Sequence, residues 1–534
     1  MRSGIRAAAP FTVQRKEGAH VAAGETASQK NRLLHMARTI FVTGLAYVVN
    51  YGITLVLTPY ITRTVGTEAY GFVTLAKQFT QYATIVTTAL NTYAARYIGL
   101  AFHKNDHKRA NVYYASVFWG DVWLGFGLLC AALLLIRFLE HAISIPPVLV
   151  ADVKILFVLS FVAFWVTTVF SVFGCAGYVK DRMDLKGVFK TVSYVTNALI
   201  LVVAYLLFPA KVAYVGAGAL GAALVIAGSD LWMSRKLLPM LSTAREHYSF
   251  RAVKQLVTEG FWASFNMVGN LLNSGLDLLV CNQMLSSLAM GQLAIAKTID
   301  TIVQSLYTVV DQAFIPHFLR SYAEKGTEAL LRELKLSMKV SGLLANLTFA
   351  GFVALGLPFY RLWIPGEDTV LIYQVTVVTI LTCIPNGAIH PLYYIYTIKL
   401  KQKLPCFVTI GGGVCNVAGM YVLIKYAGMG IYAVAWTTVA VMCVINFVSN
   451  PLYMAHVLEL PARTFYPDIL RNVLSCGVLT LVFRGLSLLY TPNSWLTLLV
   501  CAAGYVLIGA PLHLLLVCSR EQKAALKGAL KRKR

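Results

Sequence analysis

Windows of roughly 20 apolar residues, each long enough to cross the hydrocarbon layer as a helix, recur along this chain from residue 38 to residue 517. They fall near 38–59, 71–94, 112–136, 154–174, 188–208, 212–232, 258–283, 289–316, 337–359, 370–396, 404–424, 428–455, 466–490 and 494–517. Buried in lipid, such segments must satisfy their own backbone polar groups, which predicts an all-α polytopic membrane protein of about 14 transmembrane helices. The least distinct pair is 188–208 and 212–232, split only by Pro209 and Lys211. Composition excludes a soluble fold: 58% of residues are hydrophobic, 13% are charged, and the mean hydropathy is +0.67 over 534 residues.

The net charge of +23 marks topology rather than nucleic acid, because no folded soluble domain exists to carry a basic face. With the N-terminus in the cytoplasm and fourteen spans, the inner segments hold 37 Lys and Arg and the outer segments hold 7. This excess predicts that both termini are cytoplasmic. The two cations left over from the total of 46 are Lys77 and Lys297, which lie inside spans. Ten cysteines are scattered singly, with no paired metal spacing and no secreted framework, so they read as lipid- or core-facing and inert.

The two exceptional lysines belong to an internal repeat. Ala69 to Lys77, AYGFVTLAK, returns as Ala289 to Lys297, AMGQLAIAK, at an offset of 220. Beyond Lys77, Gln81, Thr84, Thr88 and Asn91 follow at +4, +7, +11 and +14, one face of a helix. Beyond Lys297, the same offsets hold Thr301, Gln304, Thr308 and Asp311. The preceding spans match too: NYGITLV from Asn50 and NSGLDLL from Asn273, at an offset of 223, set Asp277 against Thr54. An even number of spans separates the copies, which predicts two six-helix lobes of parallel topology around a central cavity. The organisation read from this is a disordered basic cytoplasmic tail (1–36), an N-lobe (37–256), a C-lobe (257–457), a two-helix appendage without a counterpart (458–519) and a second basic cytoplasmic tail (520–534). Pro385 and Pro391 flank His390 where the tenth span is expected to bend, and Gly411-Gly412-Gly413 in the eleventh permits a kink or close helix approach.

LTPYITRTVGTEAYG at Leu57 to Gly71, followed by ALNTYAARYI at Ala89 to Ile98, resembles bacterial polysaccharide exporters of the oligosaccharide flippase (Wzx) type, members of the multidrug/oligosaccharidyl-lipid/polysaccharide (MOP) exporter superfamily. The resemblance covers residues 38 to 517, with its distinctive motifs in the first two spans. It implies a V-shaped pair of lobes around a cationic cavity, alternating access, and export of undecaprenyl-pyrophosphate-linked oligosaccharide across the bacterial inner membrane. Membrane lipids, and association with the polysaccharide polymerase machinery, complete the implied set of partners. The fourteen spans also resemble the lipid II flippases of the same superfamily, and a multidrug exporter is a further alternative.

A lysine at partial membrane depth costs about 2.5–3.5 kcal/mol on insertion scales and needs water or a partner. Lys77 and Lys297, with Gln81, Asn91, Gln304 and Arg96, are therefore the candidate substrate-binding residues. Asp277 sits at a depth similar to Lys297, either as a permanent ion pair or as one that a pyrophosphate displaces. Asp277, Asp300 and Asp311 stand where the first half has Thr54, Thr80 and Asn91, which makes them ion-coupling candidates for a proton or sodium gradient. Asp121 in the third span reads as packed, protonated or paired, and Asp230 and Glu259 as interfacial. No cofactor and no metal are expected. No outer loop exceeds about twenty residues and no GxxxxGK[ST] is present, which argues against an enzyme or a nucleotide-driven pump.

Overall fold

The computed structural model describes residue 42, residues 44–399 and residues 401–518, and all regular structure among them is helical. The two basic tails, 1–36 and 520–534, lie outside the described residues. The N-terminal half comprises α1 (Gly44–Thr64), α2 (Thr67–Asn91), α3 (His107–Arg137), α4 (Val150–Phe170), α5 (Met183–Leu207) and α6 (Ala213–Leu237). Next comes α7 (Phe250–Asn270), which runs through a wide π turn at Leu271–Gly275 into Asp277–Met284. The long run Ser287–Trp363 is broken at Gly326 and divides there into α8 (287–325) and α9 (326–363). The chain continues with α10 (Thr369–Ile380), which extends in broken form to Tyr396, and α11 (Lys403–Lys425). It closes with α12 (Ile431–Val444), carried by a second π turn at Ile445–Ser449 into Asn450–Val457, then α13 (Tyr466–Leu489) and α14 (Trp495–Val517).

Helices occupy all of the windows read from the sequence, and eleven of them are long and apolar enough to cross a membrane by length and composition. The three outside that set are α2, α7 and α8, whose spans carry the polar residues of the internal repeat. The lipid-facing sides of the others are correspondingly bare hydrocarbon, as at Leu496, Leu499, Val500 and Leu507 of α14, all strongly exposed. The segment between α8 and α9, expected as an inner loop over 317–336, is instead helix on both sides of Gly326, whose φ of +75° suits only a residue without a Cβ. Its sequence explains this, since SYAEK and TEALLRELK are made of strong helix formers.

Close approach between helices is achieved through glycine. Cβ atoms at Gly218 and Gly221 of α6 would stand 2.2 Å from Asn197 Oδ1 and Ile200 Cδ1 of α5. The Gly411–Gly413 triplet leaves α11 unbroken. Its effect is contact on two sides: a Cβ at Gly413 would meet Leu272 of α7, and one at Gly412 would meet Ile445 of α12. The tenth span does break as its prolines predict, passing through a tight 3-10 turn at His390–Tyr393. The final two helices lie against α9, where His513 of α14 is buried between Ser475 Oγ (2.9 Å from Nδ1) and the Lys339 carbonyl (3.3 Å from Nε2). Asn346 of α9 donates to the Asn472 carbonyl of α13 at 2.9 Å, so interhelical polar bonds as well as apolar packing hold the pair in place.

Candidate functional site

The repeated helices α2 and α8 meet directly. At the ends that the cation count assigns to the outside, Gly71 and Gly291, which occupy the same place in the two repeats, touch each other. A Cβ on Gly71 would lie 2.9 Å from the Gly291 Cα, and one on Gly291 would lie 2.3 Å from the Thr67 carbonyl oxygen. Neighbouring bonds hold this end shut. The Tyr70 hydroxyl meets Thr298 Oγ1 at 2.7 Å, Trp363 Nε1 donates to the Leu55 carbonyl at 2.6 Å, and the Thr67 hydroxyl donates to the Glu367 carboxylate.

Further along, polar residues of the repeat become exposed. Lys77 lies seven residues after Tyr70, hence on nearly the same face of α2, the face that looks at α8. Lys77 and Gln81 are exposed there, and among the described residues Lys77 has no hydrogen-bond or ion-pair partner. On α8, Ser286 caps the helix start by accepting from the Ala289 amide at 3.1 Å, and Lys297 follows about 15 Å along the axis at 1.5 Å per residue. Its ammonium is 2.5 Å from Asp277 Oδ2 and donates to the Ser274 carbonyl at 2.6 Å. Ser274 belongs to the π turn of α7, and such wide turns displace carbonyls from their regular helical partners. One turn beyond Lys297, Asp300 is half-buried and accepts from Gln304 Nε2 at 3.3 Å.

The structure thus joins Lys297 to Asp277 and Asp300 to Gln304 along α8, and leaves Lys77 and Gln81 exposed on α2, the repeat-equivalent helix whose outer end packs against α8. These residues carry two positive and two negative formal charges, whereas the family resemblance implies a uniformly cationic cavity, and among the described residues Lys77 has no ion-pair partner. The Asp311 side chain lies outside the described residues. Asn91 does not reach the seam between α2 and α8. Where α2 descends past Lys77 it crosses α7, with Gly260 against the Ala89 carbonyl and Thr88 Oγ1 3.1 Å from Met267 Sδ, so the polar stripe turns from exposure into packing. Asn91 instead donates to Asp121 Oδ1 at 2.8 Å, and Ser171 donates to both, which settles Asp121 as a buried, paired residue. Arg96 is exposed on the short helix Ala94–His103, beyond the end of α2.

The interfacial reading of Asp230 changes, whereas Glu259 is exposed. Asp230 is buried, 3.9 Å from Lys186, and these two with Ser171 and Lys190 line a cavity of about 270 Å³ inside the N-terminal half. Glu259 accepts from the Tyr97 hydroxyl at 2.5 Å. Lys190 lines this cavity, although the topology count absorbed it as an ordinary inner cation. Its ammonium lies 5.2 Å from the Tyr47 ring centroid of α1 and 6.0 Å from that of Tyr194. The signal was present in the spacing Lys186, Lys190, Tyr194, which is one helical face.

Three kinds of likeness to known proteins accompany this geometry. A family model described as polysaccharide biosynthesis protein matches residues 36–322. A membrane protein of Bacillus subtilis (strain 168), EpsK, itself uncharacterized, is 26% identical over 478 residues, which cover 90% of this chain and 94% of that one. Among solved structures, the lipid II flippase MurJ in an inward closed conformation superposes with a TM-score of 0.63 at 14% identity, covering 90% of this chain and 99% of the other. An inward-facing multidrug resistance MATE family transporter of the MOP superfamily gives 0.61 at 13% identity, covering 78% and 95%.

Proposed function

The chain belongs to the polysaccharide biosynthesis protein family, and we propose that it carries undecaprenyl-pyrophosphate-linked oligosaccharide from the cytoplasmic to the outer face of a bacterial inner membrane by alternating access. The observation that carries this reading is the pair of repeat-equivalent lysines at the seam, one unpaired among the described residues and one held by a carboxylate. An ammonium exposed at membrane depth is costly unless an anion or water meets it. A pyrophosphate supplies that anion, binding Lys77 as a point charge and competing with Asp277 for Lys297. With the outer ends of α2 and α8 closed at Gly71 and Gly291, the head group enters from the cytoplasmic side; opening of that contact releases it outward.

A cationic drug finds less here, since Lys77 repels it and Asp277 is already engaged. A lipid II carrier is the second reading, because the likeness to MurJ extends over nearly all of both chains and lipid II presents the same pyrophosphate. Reconstitution in proteoliposomes with a labelled undecaprenyl-pyrophosphate oligosaccharide tests the proposal. Lys77→Ala and Lys297→Ala lower the flipping rate at least tenfold, and arginine at either position is the mildest change. Parental rates in the doubly alanine-substituted protein refute it, and movement of lipid II alone selects the second reading.

A further inference from the structure

The second half of the chain encloses a cavity of about 540 Å³ between α7, α10, α11 and α12, well within the roughly 300–1,000 Å³ of small-molecule sites. We propose that it receives an uncharged sugar ring of the glycan, next to the lysine that holds the pyrophosphate. This rests on the reading of the chain as a carrier of lipid-linked oligosaccharide.

The chemistry of the walls selects the ligand. Among the described residues lining the cavity there is no Lys, Arg, Asp or Glu; the polar groups are amides, hydroxyls and His390, and the flat surfaces are the His390, Tyr393 and Tyr396 rings. Amides that both donate and accept suit sugar hydroxyls, and aromatic faces suit the apolar C–H face of a pyranose. A phosphate or uronic acid finds no fixed cation there. Behind and along this wall the polar side chains are bonded to one another: Asn446 Oδ1 accepts from the Tyr393 hydroxyl (2.6 Å) and Asn450 Nδ2 (2.9 Å), and Asn450 Oδ1 from the Tyr396 hydroxyl (2.9 Å). The same bonds fix the side chains before any ligand arrives, which reduces the ordering cost of binding. Wide π turns, frequent at functional sites, adjoin the cavity on two helices, following Asn270 in α7 and preceding Asn450 in α12.

Position supplies the second argument. Asn266, Asn270 and Ser274 share one face of α7, the first two lining the cavity and the third offering its carbonyl to Lys297. Asn270 and Ser274 are about 6 Å apart along the helix axis. A phosphate at Lys297 therefore places the first sugar at the mouth of the cavity. Asn270 is exposed there, with its Nδ2 on Asn266 Oδ1 at 3.1 Å and no described protein donor to its side-chain Oδ1.

Two measurements test this. In proteoliposomes, the flipping rates of undecaprenyl pyrophosphate bearing a neutral oligosaccharide and of the bare lipid are compared for the parent, Asn270→Ala and Tyr396→Phe. The proposal expects each substitution to raise the ratio of bare to glycosylated rate at least fivefold; an unchanged ratio overturns it, whether both rates fall together or neither falls. Separately, Thr409→Cys, on the cavity wall, is alkylated with N-ethylmaleimide and the labelled peptide quantified by mass spectrometry. A free neutral trisaccharide should slow alkylation at least threefold and a trisaccharide of uronic acids should not. Absence of protection, or equal protection by both, overturns the sugar site. If the parent moves neither lipid yet the neutral trisaccharide protects, the carrier reading fails and the sugar site stands.

Discussion

Replacing Gly291 by alanine tests the outer closure most directly. The added methyl would sit 2.3 Å from the Thr67 carbonyl oxygen and 2.7 Å from its carbon, whereas ordinary contact begins near 3.4 Å, so α2 and α8 must part by about 1 Å. The obstacle is backbone and cannot rotate away. Overpacking of this kind costs about 1–3 kcal/mol. If the contact exists only in the outward-closed arrangement, that whole cost falls on one state and shifts the equilibrium about 5- to 150-fold toward outward opening. Thr298, buried beneath the contact and bonded to Tyr70, reports the change. In a Thr298→Cys background, a membrane-impermeant thiol reagent added outside should label at least fivefold faster when Gly291→Ala is present. Gly52→Ala on α1, where a Cβ meets nothing within 4 Å, should leave the rate as it was. An unchanged or slower rate with Gly291→Ala refutes the assignment of this glycine pair as the outer gate.

Other outcomes follow from the site geometry, the internal repeat and the cation count. Lys297→Ala strands a buried carboxylate, a loss of about 3–5 kcal/mol for a fully buried pair and less for one partly open to the seam, so protein yield should fall; adding Asp277→Asn should restore yield without restoring transport, and if Asp277→Asn fails to rescue yield the pair is not structural. With the membrane potential clamped to zero, a proton or sodium gradient should drive the parent, and Asp277→Asn, Asp300→Asn and Asp311→Asn should blunt the response; no response from the parent leaves the potential as the only drive. A reporter active only outside the cytoplasm, fused after Arg534, should stay silent, and a strong signal would mean an odd number of spans.

Helix positions were legible because lipid imposes a single rule on every spanning segment, and the lobe seam was legible because the repeat placed Lys77 and Lys297 in register. Packing direction was not. The stripe from Lys77 to Asn91 keeps one helical face throughout, yet its far end is packed and half-buried, since a heptad-like pattern records the face and not what crosses it; Gly260 against Ala89 is what diverts it. The ends of α8 and α9 were misplaced because loop composition was read from charge, and the charged segment there is helix on both sides of Gly326. The C-terminal cavity was invisible for another reason: its asparagines and tyrosines come from three separate spans, and none carries a charge that a span of apolar residues would make conspicuous.

The two lysines are equivalent in the repeat and unequal in their surroundings. Where the second half has Asp277 the first has Thr54, which donates to the Asn50 carbonyl of its own helix at 2.9 Å, and where it has Asp300 the first has Thr80, which donates to the Lys77 carbonyl at 2.8 Å. Both threonines are satisfied by backbone, so nothing at these positions competes with an anion for Lys77. Lys297 must first leave Asp277. Separating a buried pair costs about 3–5 kcal/mol when nothing replaces the lost partner. A pyrophosphate with two negative charges, moving out of an inside-negative cell, gains about 2.3 kcal/mol per charge per 100 mV, or about 4.6 kcal/mol for both charges at a potential of about 100 mV. The two quantities are of one size. The potential can therefore offset the exchange of Asp277 for phosphate on Lys297, with Lys77 as the fixed anchor, and a coupled cation is required only if transport persists when that potential is absent.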